Sequence, residues 1–156
     1  DAAEYLIKEI MPLVWEKKPN VKIVIAGGGS PSWLEKLANE RIIMPGWVED
    51  MKEYYSQTKL FIAPMRIGTG LQNKLLEAMA MNVPCITSSL ANQALRAKDK
   101  EEILIANNAR EYADYIIKML DNKELSQNIA QAGKDYVFNE YSWQNSCEKL
   151  SSIFMN

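Results

Sequence analysis

The sequence predicts an α/β fold, a Rossmann-like parallel sheet of about five strands flanked by helices and followed by a helical C-terminal tail. Three observations carry this reading. Short apolar runs such as VKIVIA and LFIAP show no polar alternation, as strands covered on both faces do. Helical stretches with one apolar face separate them. Each glycine-bearing loop, at Gly27 to Gly29, Gly46, and Gly68 with Gly70, follows a strand, so the loops collect on one rim of the sheet.

Taken in order, Ala2 to Lys17 repeats apolar residues at helical spacing (Leu6, Ile10, Leu13, Val14), and Pro12 predicts a kink or break. Asp1 stands as its N-cap, so the chain opens in a helix where such domains normally open with a strand. Pro19-Asn20 ends the helix, and Val21 to Ala26 is a β-branched strand. Ser30 reads as an N-cap with Pro31 at the first helical position, opening a helix to about Asn39. Ile42 to Met44 is a short strand closed by Pro45-Gly46, and Glu49 to Gln57 a short helix. Leu60 to Pro64 is the next strand, Leu71 to Met81 an amphipathic helix, and Pro84 to Thr87 a buried strand. Ser88 to Lys100 reads as mostly irregular and Ile103 to Ala106 as a last strand. Helices over Ala109 to Leu120, Lys123 to Asn139 and Ser142 to Phe154 complete the chain.

The 156 residues suit one domain with its own core, and 47% hydrophobic with 24% charged residues is an ordinary globular composition. A net charge of −2 gives no basic surplus for nucleic acid. The absence of histidine excludes a Ser–His–Asp triad, a histidine base and histidine metal ligands within this chain. Cys85 and Cys147 lack zinc or redox spacing and read as reduced thiols of a cytoplasmic protein. No apolar run reaches the ~18 residues of a membrane span, and Asp1 onward is not a signal peptide.

The chemistry concentrates between Lys59 and Ser88. A glycine turn between a strand and a helix N-terminus aims backbone N–H groups at an anion, and this loop also carries Arg66. Projected at ~100° per residue, Gly70, Asn73, Lys74 and Glu77 fall on one side of the helix. Leu71, Leu75, Ala78 and Met79 fall on the other. A phosphate at the N-terminus would have Lys74 within reach, and Glu77 could accept from two vicinal hydroxyls. Lys74 and Glu77 read equally well as an ordinary i,i+3 surface pair, with Arg66 as a solvated loop residue. Asn82 suits a left-handed C-cap. Gly27-Gly28-Gly29 does not complete a dinucleotide fingerprint, because Ser32 takes the third glycine's place and no acid ends the next strand. No Asp-x-Asp occurs, so a metal–diphosphate bridge is not predicted. Among the tryptophans, Trp47 on the rim is the candidate ligand contact, and Trp15, Trp33 and Trp143 read as packing residues.

The segment IAPMRIGTGLQNKLLEAMAMNVPCITS resembles the donor-binding half of retaining, nucleotide-sugar-dependent glycosyltransferases of the GT-B fold, group 1. More narrowly it is similar to the branch with a proline–x–arginine–x–glycine–x–glycine loop before the helix lysine and glutamate. VKIVIAGGG, IIMPGWVEDMKEYYSQTKLFIAP, ILIANNAREYADYI and a late YSW agree in order. The resemblance implies a UDP- or GDP-sugar donor, no cofactor or metal ion, and transfer to a glycan or lipid-linked acceptor, as in bacterial cell-surface polysaccharide biosynthesis. It implies that Arg66 and Lys74 stabilise the leaving diphosphate, with amides of Gly70, Leu71 and Gln72, that Glu77 holds the ribose, and that the Thr69 hydroxyl or the Gly68 and Gly70 amides could read the sugar. Gly46, Trp47 and Val48 would meet the base. Thr69 stands where the family places a sugar-binding glutamate, which leaves sugar recognition open. The resemblance also implies that the chain is a fragment of a two-domain enzyme, inactive alone. The first strand and the acceptor domain would lie elsewhere in the polypeptide, the latter placing the enzyme at the inner face of a membrane. Two alternatives stay open: a nucleotide-sugar epimerase of the same architecture, and a non-catalytic nucleotide-binding domain, for which Thr69 is the best argument.

Overall fold

The computed structural model describes residues 1–29, 31–68 and 70–141. Ser30, Thr69 and the predicted helix Ser142 to Phe154, with Trp143 and Cys147, lie outside the described residues.

The first helical stretch passes through Pro12 without breaking. It runs as α1 (Ala2–Tyr5), a π-helical segment (Leu6–Ile10) and α2 (Met11–Lys17). Met11 N–H donates to the Leu6 carbonyl, five residues back. Proline cannot donate and crowds the carbonyl four residues before it, and the widened turn just upstream accommodates both. The predicted kink or break is therefore a π-turn within continuous right-handed backbone. Asp1 takes the N-cap position, but its side chain makes no capping bond.

Then follow β1 (Ile23–Ala26), α3 (Ser32–Glu35), β2 (Ile42–Gly46), α4 (Lys52–Gln57), β3 (Phe61–Ala63) and α5 (Asn73–Ala80). After them come β4 (Cys85–Thr87), α6 (Ser89–Leu95), β5 (Leu104–Ile105), α7 (Ala109–Asp121) and α8 (Lys123–Glu140). Two predictions need correction. Pro31 is the extended N-cap of α3, not its first helical residue, and α3 stops at Glu35 rather than near Asn39. The stretch after Ser88 is not irregular: the Ser88 hydroxyl accepts from Ala91 N–H and opens α6, whose Ala91 and Leu95 are buried one turn apart.

All strand pairs are parallel, as predicted, but the five strands divide between two sheets. β1 pairs with β2, and β3, β4 and β5 are neighbours in that order. β4 is central and wholly buried. Its Ile86 packs into a core with the first helical stretch, β1, β2 and α7, whereas Cys85 faces α5 and α8. Successive residues on opposite faces of a covered strand explain its unbroken apolar run. Ile23 N–H is spent on the Arg41 carbonyl just before β2 and Phe61 N–H on the Pro84 carbonyl just before β4, so the alternating ladder turns Val24 and Ile62 outward. A cavity of about 790 Å³ lies between those two edges, lined by Val24, Ile43, Leu60 and Ile62.

Candidate functional site

The rim is assembled by the turns after β1, β2 and β3. Gly27 N–H donates to the Gly46 carbonyl at 2.9 Å, tying the first two turns together. Gly46 has φ +75°, a left-handed conformation that favours glycine. It directs the chain so that Trp47 lies against Gly28, whose Cβ, were it present, would be 3.6 Å from Trp47 Cβ. Trp47 is 74% exposed, Val48 half-buried. An indole held at its base and open on its flank can stack on a planar group.

The loop after β3 is longer than the pattern predicts. Gly68 and Gly70 have φ +117° and +92°, so neither enters the helix. Leu71 is exposed rather than packed on the sheet, and Gln72 is the N-cap of α5. The Gln72 side chain makes no capping bond and instead donates to the Gly70 carbonyl. The amides of the first turn, at Asn73 and Lys74, are left without intrahelical acceptors and face the rim. Leu75, Ala78 and Met79 are buried as projected. Asn82, with φ +61°, closes the helix: its N–H donates to Met79 O, and Val83 N–H to Ala78 O. That is the left-handed helix end predicted for Asn82, and the two bonds pair to close it.

Lys74 and Glu77 do not pair with each other. Lys74 reaches back over the β1 turn, its Nζ lying 3.8 Å from where a Gly27 Cβ would be. Glu77 turns the other way and accepts a 3.1 Å hydrogen bond from Tyr55 Oη. The surface-pair reading of these two residues is therefore corrected: each has a separate neighbour across the rim. Lys74, Gln72, Tyr55 and Ala26 border a cavity of about 290 Å³.

Arg66 is elsewhere. Its Nη2 and Nε bind the Asp1 carboxylate at 2.6 and 3.1 Å, Nη1 is 3.6 Å from Glu9, and its guanidinium lies 4.3 Å from the Tyr5 ring centre. It opens into a separate cavity of about 160 Å³ with Ser88, Asn107 and Tyr112. The structure thus brings Gly46, Trp47, Lys74 and the α5 N-terminus to one rim, and holds Arg66 on the first helix. Asp1 serves Arg66 instead of its own helix because a fork-shaped guanidinium is a stronger partner than a single amide.

Two contributors escape the sequence patterns. Tyr55 lies in a short helix and looks like any core aromatic; burial, then the Glu77 carboxylate, push its phenol well above the usual tyrosine range. Gly27 looks like a plain turn residue, although it borders the Lys74 ammonium. Among the described residues, no group of three or more histidine, cysteine or acidic side chains is gathered for a metal. No helix among them is long and apolar enough to cross a membrane.

Residues 1–122 match the family model described as glycosyl transferases group 1. The chain is 24% identical over 151 residues to the capsular polysaccharide biosynthesis glycosyltransferase CapM of Staphylococcus aureus, covering 91% of this chain and 40% of that protein. It superposes on the C-terminal domain of the group 1 glycosyl transferase LpcC from Francisella tularensis with a TM-score of 0.76 at 22% identity, covering 91% of this chain and 80% of that one. Against Anabaena HepE, solved in complex with UDP and glucose, the TM-score is 0.78 at 14% identity, covering 92% of this chain and 44% of the other. The chain spans about 40% of the length of the curated relatives it matches.

Proposed function

The chain belongs to the group 1 glycosyl transferases, and from that premise we propose that it is the donor-binding half of a retaining enzyme using a UDP- or GDP-sugar. The observation that carries this reading is the separation of Lys74 from Glu77 across a rim with an uncapped helix N-terminus. A mere surface pair would close on itself. Here the ammonium is held over the β1 turn beside free amides, as a diphosphate needs, and the carboxylate stands one turn further on, as a ribose needs.

In this reading the diphosphate meets Lys74 and the amides of Gly70, Leu71 and Gln72, with Gly68 toward the sugar. Glu77 accepts from the ribose hydroxyls, and the base lies on Gly46, Trp47 and Val48. Rupture of the anomeric C–O bond leaves oxocarbenium character on the sugar and growing negative charge on the departing diphosphate. Cations and amides already facing that position lower the barrier without reorganisation. Arg66 joins them on release from Asp1 and Glu9, and the diphosphate is neutralised by these groups without a metal ion or cofactor. Thr69 is assigned to the sugar end. The acceptor, a glycan or lipid-linked saccharide, is bound by a second domain of the same polypeptide, and this half alone does not turn over. The role of CapM in capsular polysaccharide biosynthesis supports a polysaccharide setting, and the buried free thiol of Cys85 fits a reducing cytoplasm.

Calorimetric titration of UDP and GDP into the wild-type full-length protein, Lys74→Ala and Glu77→Ala tests the assignment. One of the nucleotides should bind the wild type and lose about tenfold in affinity to each variant. Equal binding by all three proteins would sink it.

A further inference from the structure

We infer that Tyr55 is a positioning residue for Glu77, fixing one carboxylate oxygen so that the other is presented to the nucleoside's vicinal hydroxyls; this rests on the ribose reading of Glu77. Tyr55 comes from α4, Glu77 from α5, and the 3.1 Å bond from Tyr55 Oη to Glu77 Oε2 joins the two helices. The phenol is well suited to the task. Tyr55 is only 4% exposed, and its ring meets Phe61 of β3 edge-on at 5.9 Å between centroids. Its backbone N–H donates to Met51 O and its carbonyl accepts from Thr58 N–H, so the ring stands on a fixed turn.

Glu77 itself is exposed and, by its own chain, free to choose among rotamers. A competing partner is Lys74, three residues earlier on the same face, at a spacing that favours pairing. Donation from Tyr55 draws the carboxylate away from Lys74, leaving the ammonium for phosphate and Oε1 without a partner among the described residues. A phenol has one proton to give. It satisfies one oxygen and leaves acceptor capacity on the other.

The experiment compares wild type, Tyr55→Phe, Glu77→Ala and the double variant of the full-length protein, titrated with UDP, GDP and their 2′,3′-dideoxy forms, with thermal melting alongside. Tyr55→Phe should weaken the ribonucleotide about five- to tenfold, leave the dideoxy form unchanged, and add nothing in the Glu77→Ala background. Tyr55→p-aminophenylalanine, which retains a donor at the ring tip, should restore the preference for ribose. Equal weakening of ribo and dideoxy forms, or an unchanged ratio between them, overturns the positioning role while leaving the nucleotide site standing. Should Tyr55→Phe fail to fold, the p-aminophenylalanine variant decides: a normal ribose preference supports the role and a lost one refutes it. Binding of neither nucleotide by wild type, or full ribose preference in Glu77→Ala, removes the underlying site and this inference with it.

Discussion

Gly133→Ala should destabilise this domain although it replaces a helix-interior glycine with the best helix former. Gly133 is buried in α8. A Cβ there would stand 2.6 Å from the Glu102 carbonyl oxygen and 3.2 Å from Met79 Cε of α5. Ordinary contact begins at 3.4 Å, so α8 and the Glu102 peptide must part by about 0.8 Å, the difference between 3.4 and 2.6. Met79 can turn aside, but that peptide cannot move freely. Glu102 N–H donates to Lys98 O, its carboxylate accepts from Lys98 N–H, and Ile103 bridges to Asp99. Helix propensity contributes about 1 kcal/mol in favour of alanine. Overpacking against fixed backbone costs about 1–3 kcal/mol. At 2.6 Å from backbone that cannot give way the cost lies in the upper part of that range, about 2–3 kcal/mol, so the net expectation is a loss of about 1–2 kcal/mol, or roughly 2–8 °C in Tm for a domain of this size. Melting followed by circular dichroism measures it, with Gly28→Ala as the control. At Gly28 the nearest atoms to a Cβ are at 3.6 Å, and stability should change by less than about 0.5 kcal/mol. A Gly133→Ala Tm equal to or above wild type would refute the close-approach argument. Because Met79 lies on the helix that carries Lys74 and Glu77, the variant should also weaken nucleotide binding.

Three further outcomes follow from named contacts. Asp1→Asn removes the closer of the two charged partners of Arg66 and leaves Glu9; since these side chains are well exposed, stability should shift by less than about 1 kcal/mol. The guanidinium, then held by Glu9 as its one remaining acid among the described residues, should raise diphosphate affinity about two- to threefold, read by calorimetry. Cys85 is fully buried and its thiol is pushed far above the usual range by burial, so iodoacetamide at pH 8 should modify it only after denaturation, as mass spectrometry would report. Tyr136 donates to the Leu95 carbonyl at 2.6 Å, and burial, then Tyr141, push its phenol up to about 12. A phenol whose native pKa exceeds its unfolded value contributes stability that is whole below about pH 10 and lost as pH rises through about 12. Urea midpoints should therefore fall between those values for wild type and fall less steeply for Tyr136→Phe.

The elements that the sequence predicts well are those whose signal is periodic and local. Leu75, Ala78 and Met79 are buried because a 3.6-residue repeat puts them on one stripe, and Cys85–Thr87 is a strand of unbroken apolar character because β4 is covered on both faces. The α6 helix was only faintly legible, in Ser88 followed by Ala91 and Leu95, because polar residues between them mask the stripe and the stretch reads as irregular. The boundary at α5 was not, since Leu71 satisfies the apolar pattern while the φ of Gly70 keeps it outside the helix.

What the amino-acid sequence determined alone is the alternation of covered strands with one-sided helices, the rim of glycine turns, and the placing of Lys74 and Glu77 on one helix face. The tertiary structure decided what those side chains touch. Arg66 meets Asp1 across 65 residues of chain, and Tyr55 meets Glu77 across 22. It also decided that the strands split between two sheets. Periodicity reports which face of an element is apolar, because burial acts on each element as a whole. A charged side chain chooses its partner by distance and desolvation in the folded chain, and no local pattern records that choice.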